Sequence, residues 1–458
     1  MSPDPAPARE TARTSHHAYD GARHLAPTRV LEVDPLLDDP TTRIVVCCGS
    51  GGVGKTTTAA ALGLRAAERG RKVVVLTIDP ARRLAQSMGI DSLDNVPRRV
   101  KGTEGEGELH AMMLDMKRTF DEVVEAHADP ERAAAILANP FYQSLSAGFA
   151  GTQEYMAMEK LGQLRARDEW DLIVVDTPPS RSALDFLDAP KRLGSFLDGR
   201  LIRLLTAPAK LGGRAGMKFL NVGMSMMTGT LGKLLGGQLL KDVQTFVAAM
   251  DTTFGGFRTR ADATYKLLQA PGTAFLVVAA PERDALREAA YFVERLAAEK
   301  MPLAGLVLNR VHGSGAGELS AERALAAAEN LEESRIVDQR DGKAGLRNSP
   351  ETHGSSDSPS AHPDSGAPTA DPEATADAGF EPEPSVDQVT AGLLRLHAER
   401  MQLLFREQRT RDRFTALHPE VAVAEVAALP GDVHDLAGLR DIGNRLAEHR
   451  RELPEPGA

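Results

Sequence analysis

Residues 43–70 read RIVVCCGSGGVGKTTTAAALGLRAAERG, and this stretch decides the fold. An apolar run from Ile44 to Cys48 leads into glycines and then into an Ala-rich helical pattern. The spacing Gly-x-x-x-x-Gly-Lys-Thr at Gly49, Gly54, Lys55 and Thr56 therefore falls between a strand and a helix, the context a phosphate-cradling loop requires. Glycines let backbone amides turn inward around phosphates, Lys55 supplies a point charge for the β and γ groups, and the Thr56 hydroxyl suits Mg²⁺. The expected binding set is Gly49, Ser50, Gly51, Gly52, Val53, Gly54, Lys55, Thr56 and Thr57, with ATP and Mg²⁺ as the expected ligands.

Four more apolar runs, Val73 to Ile78, Leu172 to Val175, Phe275 to Ala280 and Leu303 to Leu308, are short and rich in β-branched residues. Helical periodicity follows each, the pattern of a parallel sheet covered on both faces. The expected fold is α/β: a P-loop NTPase with a mostly parallel sheet flanked by helices, plus a helical insertion subdomain. Hydrolysis also needs a positioned water and a metal-side carboxylate. Asp79 closes VVVLTIDP and Asp176 closes LIVVDTPPS, both at the carboxyl end of a strand, where ligands of such sheets bind. Asp176 is the candidate Mg²⁺ carboxylate and Asp79 the candidate for orienting the attacking water. Each also reads as a loop aspartate capping the next helix.

The chain has 458 residues, too many for one ordinary domain, and a net charge of −10, which argues against a dedicated nucleic-acid binder. Its two cysteines, Cys47 and Cys48, are adjacent and form neither a disulfide framework nor a CxxC metal site. No signal peptide or membrane-spanning stretch is visible, so a cytoplasmic protein without an integral membrane segment is expected. Composition divides the chain into a disordered arm (1–40), an ATPase domain (41–312) with a helical insertion at about 191–269, a disordered low-complexity insertion (313–387), a resumed domain (388–450) and a tail (451–458). Residues 388–410 show helical spacing, and Val421 to Leu429 form a short apolar run.

Gly49 to Thr57, Asp79-Pro80-Ala81, GTQEYMAME (151–159), Asp176-Thr177-Pro178-Pro179, Pro281-Glu282 and Asn309 stand in the order of the ArsA-type anion-transporting ATPases. The chain resembles that family, which includes the ATPase delivering tail-anchored membrane proteins, and looks closest to its actinobacterial branch. The resemblance covers about 40–312 and 388–450. It implies Mg-ATP hydrolysis coupled to dimer closure, with Asp79 in switch I positioning water, Asn309 contacting adenine and Pro430 in the late adenine-flanking loop. Read from residues alone, Asn309 is equally a turn residue after a buried strand.

The family's lysine that reaches across the dimer to the partner's nucleotide is replaced here by Ser50, a short neutral residue that cannot supply the cation. Arg82, Arg83 or Arg181 would then serve as an arginine finger, or the chain pairs with a lysine-bearing paralogue instead of forming a homodimer. Ser50 favours the paralogue, and an unimportant substitution is a third reading. The family's arsenite-binding and zinc-binding cysteines have no counterpart, so arsenite transport is not expected. Met217, Met224, Met226, Met227 and Met250 lie in the helical stretch after switch II. They suit either a groove for a hydrophobic helical client or the filling of a helical core. An ATP-locked scaffold with little hydrolysis is the rival reading.

Overall fold

The computed structural model describes residues 29–78, 82–90, 93–146, 152–178, 259–344 and 385–448. Eight strands form one sheet in the order β3-β4-β2-β5-β1-β6-β7-β8. They are β1 (Ile44–Gly49), β2 (Lys72–Thr77), β3 (Arg98–Arg99), β4 (Glu108–Met113), β5 (Leu172–Asp176), β6 (Thr273–Ala279), β7 (Leu303–Val311) and β8 (Val423–Ala427). Every pairing is parallel except β3 with β4. All five strands expected from their β-branched runs are present. The run at 421–429 supplies β8, whereas β3 and β4 carry no such run and come from the structure alone.

The sheet's central strands are apolar along their whole length because both faces are covered. Val46, Val74 and Val175 face one core, and Val45, Val75 and Val174 the other. On the second face lies α2 (Lys55–Glu68), whose Ala59, Ala60 and Ala61 let it approach the strands closely. Strand order reverses around β1: the chain runs from β1 to β2 on one side and from β5 across to β6 on the other. A crevice opens at the carboxyl ends of strands where such a reversal occurs.

Two expectations about order are corrected. Residues 29–40, assigned to the disordered arm, belong to the domain. Leu31 N–H donates to the Val423 carbonyl and Val423 N–H to the Arg29 carbonyl, extending the edge beside β8. The helix α1 (Val33–Asp38) docks through buried Val33 and Leu37 and through Asp34 and Asp38 on Arg65 and Arg69 of α2. A six-residue helix is too short to show a period. The second correction is a helix at Ala321–Ala344 inside the stretch 313–387, where Ala324 and Ala328 are buried. Its alanines favour helix, and it packs along the long helix Val386–Leu417, which begins with a capping box from Ser385 to Gln388. The last described helix, Leu436–Ala447, packs Leu439, Ile442 and Leu446 into the α2-side core instead of lying free. Most of the expected insertion at 191–269, with its methionines, lies outside the described residues; residues 259–269 are helical.

Candidate active site

The loop between β1 and α2 turns on glycines. Gly49 (φ 149°) sits where a Cβ would meet the Val278 carbonyl oxygen of β6 at 2.1 Å, so only glycine lets β1 run this close to its neighbour. Gly54 (φ 92°) is the N-cap of α2, and a Cβ there would meet Asn309 Nδ2 at 2.3 Å. Lys55, the first residue of α2, is buried, and its Nζ donates to the Ser50 carbonyl across the loop at 2.6 Å. The ammonium is thus held over the loop, where the helix N-terminus adds to the attraction for an anion.

Thr56 follows one residue on, and its hydroxyl donates to Asp176 Oδ2 at 2.7 Å. Asp176 ends β5, is fully buried, and accepts a second bond on the same oxygen from the Thr77 hydroxyl at 2.9 Å. Thr77 and Asp176 lie opposite each other in the β2–β5 register, which explains the contact. A buried carboxylate beside a helix-start hydroxyl is a hard oxygen donor set of the kind Mg²⁺ takes. Thr177 donates its hydroxyl to the Cys47 carbonyl at 2.9 Å and so ties the segment after β5 to the strand that enters the loop. Both cysteines are buried in β1. Burial, then the nearby Asp176 charge, pushes the Cys47 thiol up, and burial pushes Cys48 up to about 12, so neither is a thiolate nucleophile at neutral pH.

Sequence reasoning missed two neighbours of this centre. Thr77 was overlooked because its role depends on strand adjacency. Gln153, in the first turn of the helix Thr152–Arg167, donates from Nε2 to the Ile78 carbonyl at 3.1 Å, while Ile78 N–H donates to the Asp176 carbonyl at 3.0 Å. Ile78 is therefore pinned from both sides immediately before Asp79. Farther along the same helix, buried Glu159 pairs with Arg260 at 2.9 Å, joining it to the helix at 259–269.

Gly49 to Thr57, Asp176 and Asn309 are brought together at the carboxyl ends of the central strands. Asn309 is buried, and its Nδ2 donates to the Val53 carbonyl at 2.8 Å. Pro430 is exposed in the loop after β8, whose Ala428 N–H donates to the Val311 carbonyl. Asp79 and Arg181 lie outside the described residues, as do the side chains of Arg82 and Arg83. Among the described residues no helix is long and apolar enough to cross a membrane.

Residues 42–337, more than half of the chain, match the anion-transporting ATPase family. The ATPase GET3 of Malassezia globosa is 31% identical over 162 residues, which cover 35% of this chain and 46% of that protein. The ATPase GET3 of Ajellomyces dermatitidis is 26% identical over 294 residues, 64% of this chain and 78% of that protein. That of Podospora anserina is 26% identical over 300 residues, 63% of this chain and 80% of that protein. The chain spans less than half the length of the Malassezia relative. With its glycine loop, buried strand-end carboxylate and mostly parallel sheet, the chain belongs to the anion-transporting ATPase family.

Proposed function

We propose that this chain binds Mg-ATP in the loop Gly49–Thr56, hydrolyses it to ADP and phosphate, and closes and reopens as a dimer to act on a client other than arsenite. The observation that carries this reading is the 2.7 Å bond from Thr56 to buried Asp176 beside Lys55 and the glycine loop. Lys55 would exchange its bond to the Ser50 carbonyl for oxygens of the β and γ phosphates, holding the charge that develops as the phosphoryl group transfers. Thr56 and Asp176 would hold the magnesium ion, which when bound supplies positive charge beside the phosphates. Asp79 would orient a water and accept its proton as the water oxygen bonds to the γ phosphorus. The bond from that phosphorus to the bridging oxygen breaks, and its electron pair leaves with ADP. Asn309 and Pro430 remain the candidates of the resemblance for the adenine side, and the cytoplasm remains the expected location.

Ser50 favours a second reading of the partner. With no lysine at this position, a cation for the transferred group would come from Arg82, Arg83 or Arg181, or from a lysine-bearing paralogue in a heterodimer. In the heterodimer the chain is an ATP-locked scaffold or targeting subunit for hydrophobic helices with little hydrolysis of its own, and its methionine-rich stretch holds the client. Steady-state hydrolysis and equilibrium ATP binding by the purified chain and by Asp79→Asn test the proposal. ATP binding in both proteins with turnover in the parent alone supports it; turnover retained in Asp79→Asn removes the role of Asp79. Binding without turnover by the parent, restored by adding the paralogue, selects the second reading.

A further inference from the structure

We infer that Asn309 is a positioning residue that sets the shape of the phosphate loop, so that its side chain governs polyphosphate binding whatever base is attached. This rests on the proposed nucleotide site and adds a second role to the adenine contact implied by the family resemblance.

The placement of Asn309 begins in β7. Pairing of β7 with β8 slips between Leu308 and Val311, and within that irregularity Arg310 adopts φ 61°, a conformation that disfavours a residue with a Cβ. The irregularity brings the Asn309 amide under the loop, where the residue is 8% exposed. The amide makes one bond within the protein at each end. Nδ2 donates to the Val53 carbonyl at 2.8 Å, and Oδ1 accepts from the Arg310 backbone N–H at 3.0 Å. The Arg310 bond is local, so it fixes the side chain of Asn309 to the distorted strand, and the Val53 bond transmits that fixed position to the loop.

The peptide joining Val53 to Gly54 is planar, so holding the Val53 carbonyl toward Asn309 turns the Gly54 N–H to the opposite side. A loop that binds phosphate through its amides depends on such orientations. The contact is close at Gly54 as well, since a Cβ there would lie 2.3 Å from Asn309 Nδ2. Glycine at 54 and asparagine at 309 are matched: the absence of one side chain makes room for the other.

The test compares Mg-ATP with inorganic magnesium tripolyphosphate, which has no base, using the full chain, Asn309→Ala and Asn309→Asp. The aspartate variant keeps the size and Oδ1 of the native side chain and removes the Nδ2 donor, which preserves a readout if the alanine variant folds poorly. Partial unfolding lowers the number of sites in a calorimetric titration but leaves the Kd of the folded fraction unchanged. Loss of a buried hydrogen bond to the loop weakens both ligands in parallel, by about tenfold. Weaker ATP with unchanged tripolyphosphate overturns the inference and leaves the adenine role alone, and unchanged affinity for both also overturns it. A parent chain that binds neither ligand removes the nucleotide site itself, an outcome distinct from either.

Discussion

Alanine at three loop glycines should produce three different results. Gly52 has φ 77° with nothing within 4 Å of where a Cβ would stand, so Gly52→Ala meets only the cost of a left-handed conformation, about 1–2 kcal/mol. Gly54→Ala adds a collision with Asn309 Nδ2, a side chain that moves aside only by giving up its buried bond to Val53. With about 1–3 kcal/mol for that loss, the total becomes about 2–5 kcal/mol. Gly49→Ala drives a Cβ into the Val278 carbonyl, part of the backbone of β6, and Gly49 and Val278 are register partners at the centre of the sheet. Neither strand can yield without separating from the other, which places this variant above about 4 kcal/mol, among the severe single substitutions. Each kcal/mol lowers the melting temperature of a domain of this size by about 1–2 °C. Thermal unfolding of the three variants side by side should rank Gly52→Ala, Gly54→Ala and Gly49→Ala in order of increasing damage. A Gly49→Ala protein melting with Gly52→Ala would refute the packing assigned to β1 and β6.

Replacing Gln153 by Met keeps its bulk and removes the donor to the Ile78 carbonyl; ATP hydrolysis should slow while ATP affinity holds, measured by kcat and by equilibrium binding. Asp34 is held below the usual carboxylate range by its hydrogen bond from Arg65 and by the charges of Arg65 and Arg69, with burial opposing them. A depressed folded-state pKa stabilises the fold above the unfolded value of about 3.9 and is lost as pH falls through the folded value. The stability gap between the parent and Asp34→Asn should therefore be full at neutral pH and close below about pH 4, as read from unfolding curves across pH. If Met224, Met226 and Met227 hold the proposed client, changing them to Ser should abolish client capture and leave ATP hydrolysis intact; capture that persists removes that role from them.

The central strands were legible because parallel, doubly covered strands are apolar throughout, as Val73 to Ile78 and Leu172 to Val175 show. Strand β4 escaped because ELHAMM mixes His, Glu and Met into a partner that lies near the sheet edge, beside the two-residue β3. The glycine loop, Lys55, Thr56 and Asp176 were visible as a local motif and a strand-end carboxylate. Thr77 and Gln153 were not, because their roles depend on which strands and helices become neighbours: Thr77 meets Asp176 across 99 residues and Gln153 meets Ile78 across 75. Asn309 was visible as a residue of interest, but its contact with Val53 spans 256 residues. The segment at 29–40 and the helix at Ala321–Ala344 were misread for a common reason. Their order comes from docking on β8, α2 and the Val386–Leu417 helix, which local composition does not reveal.

In the proposed function, Lys55 and the loop around it hold the phosphates of ATP. The most direct test is the equilibrium affinity of the purified chain and of Lys55→Ala for ATP in excess Mg²⁺. The parent should bind, and removing a charged donor from the phosphates should weaken binding by about ten- to a hundredfold. A parent that does not bind ATP would remove the nucleotide site, and a Lys55→Ala variant that binds it equally well would remove Lys55 from the phosphates.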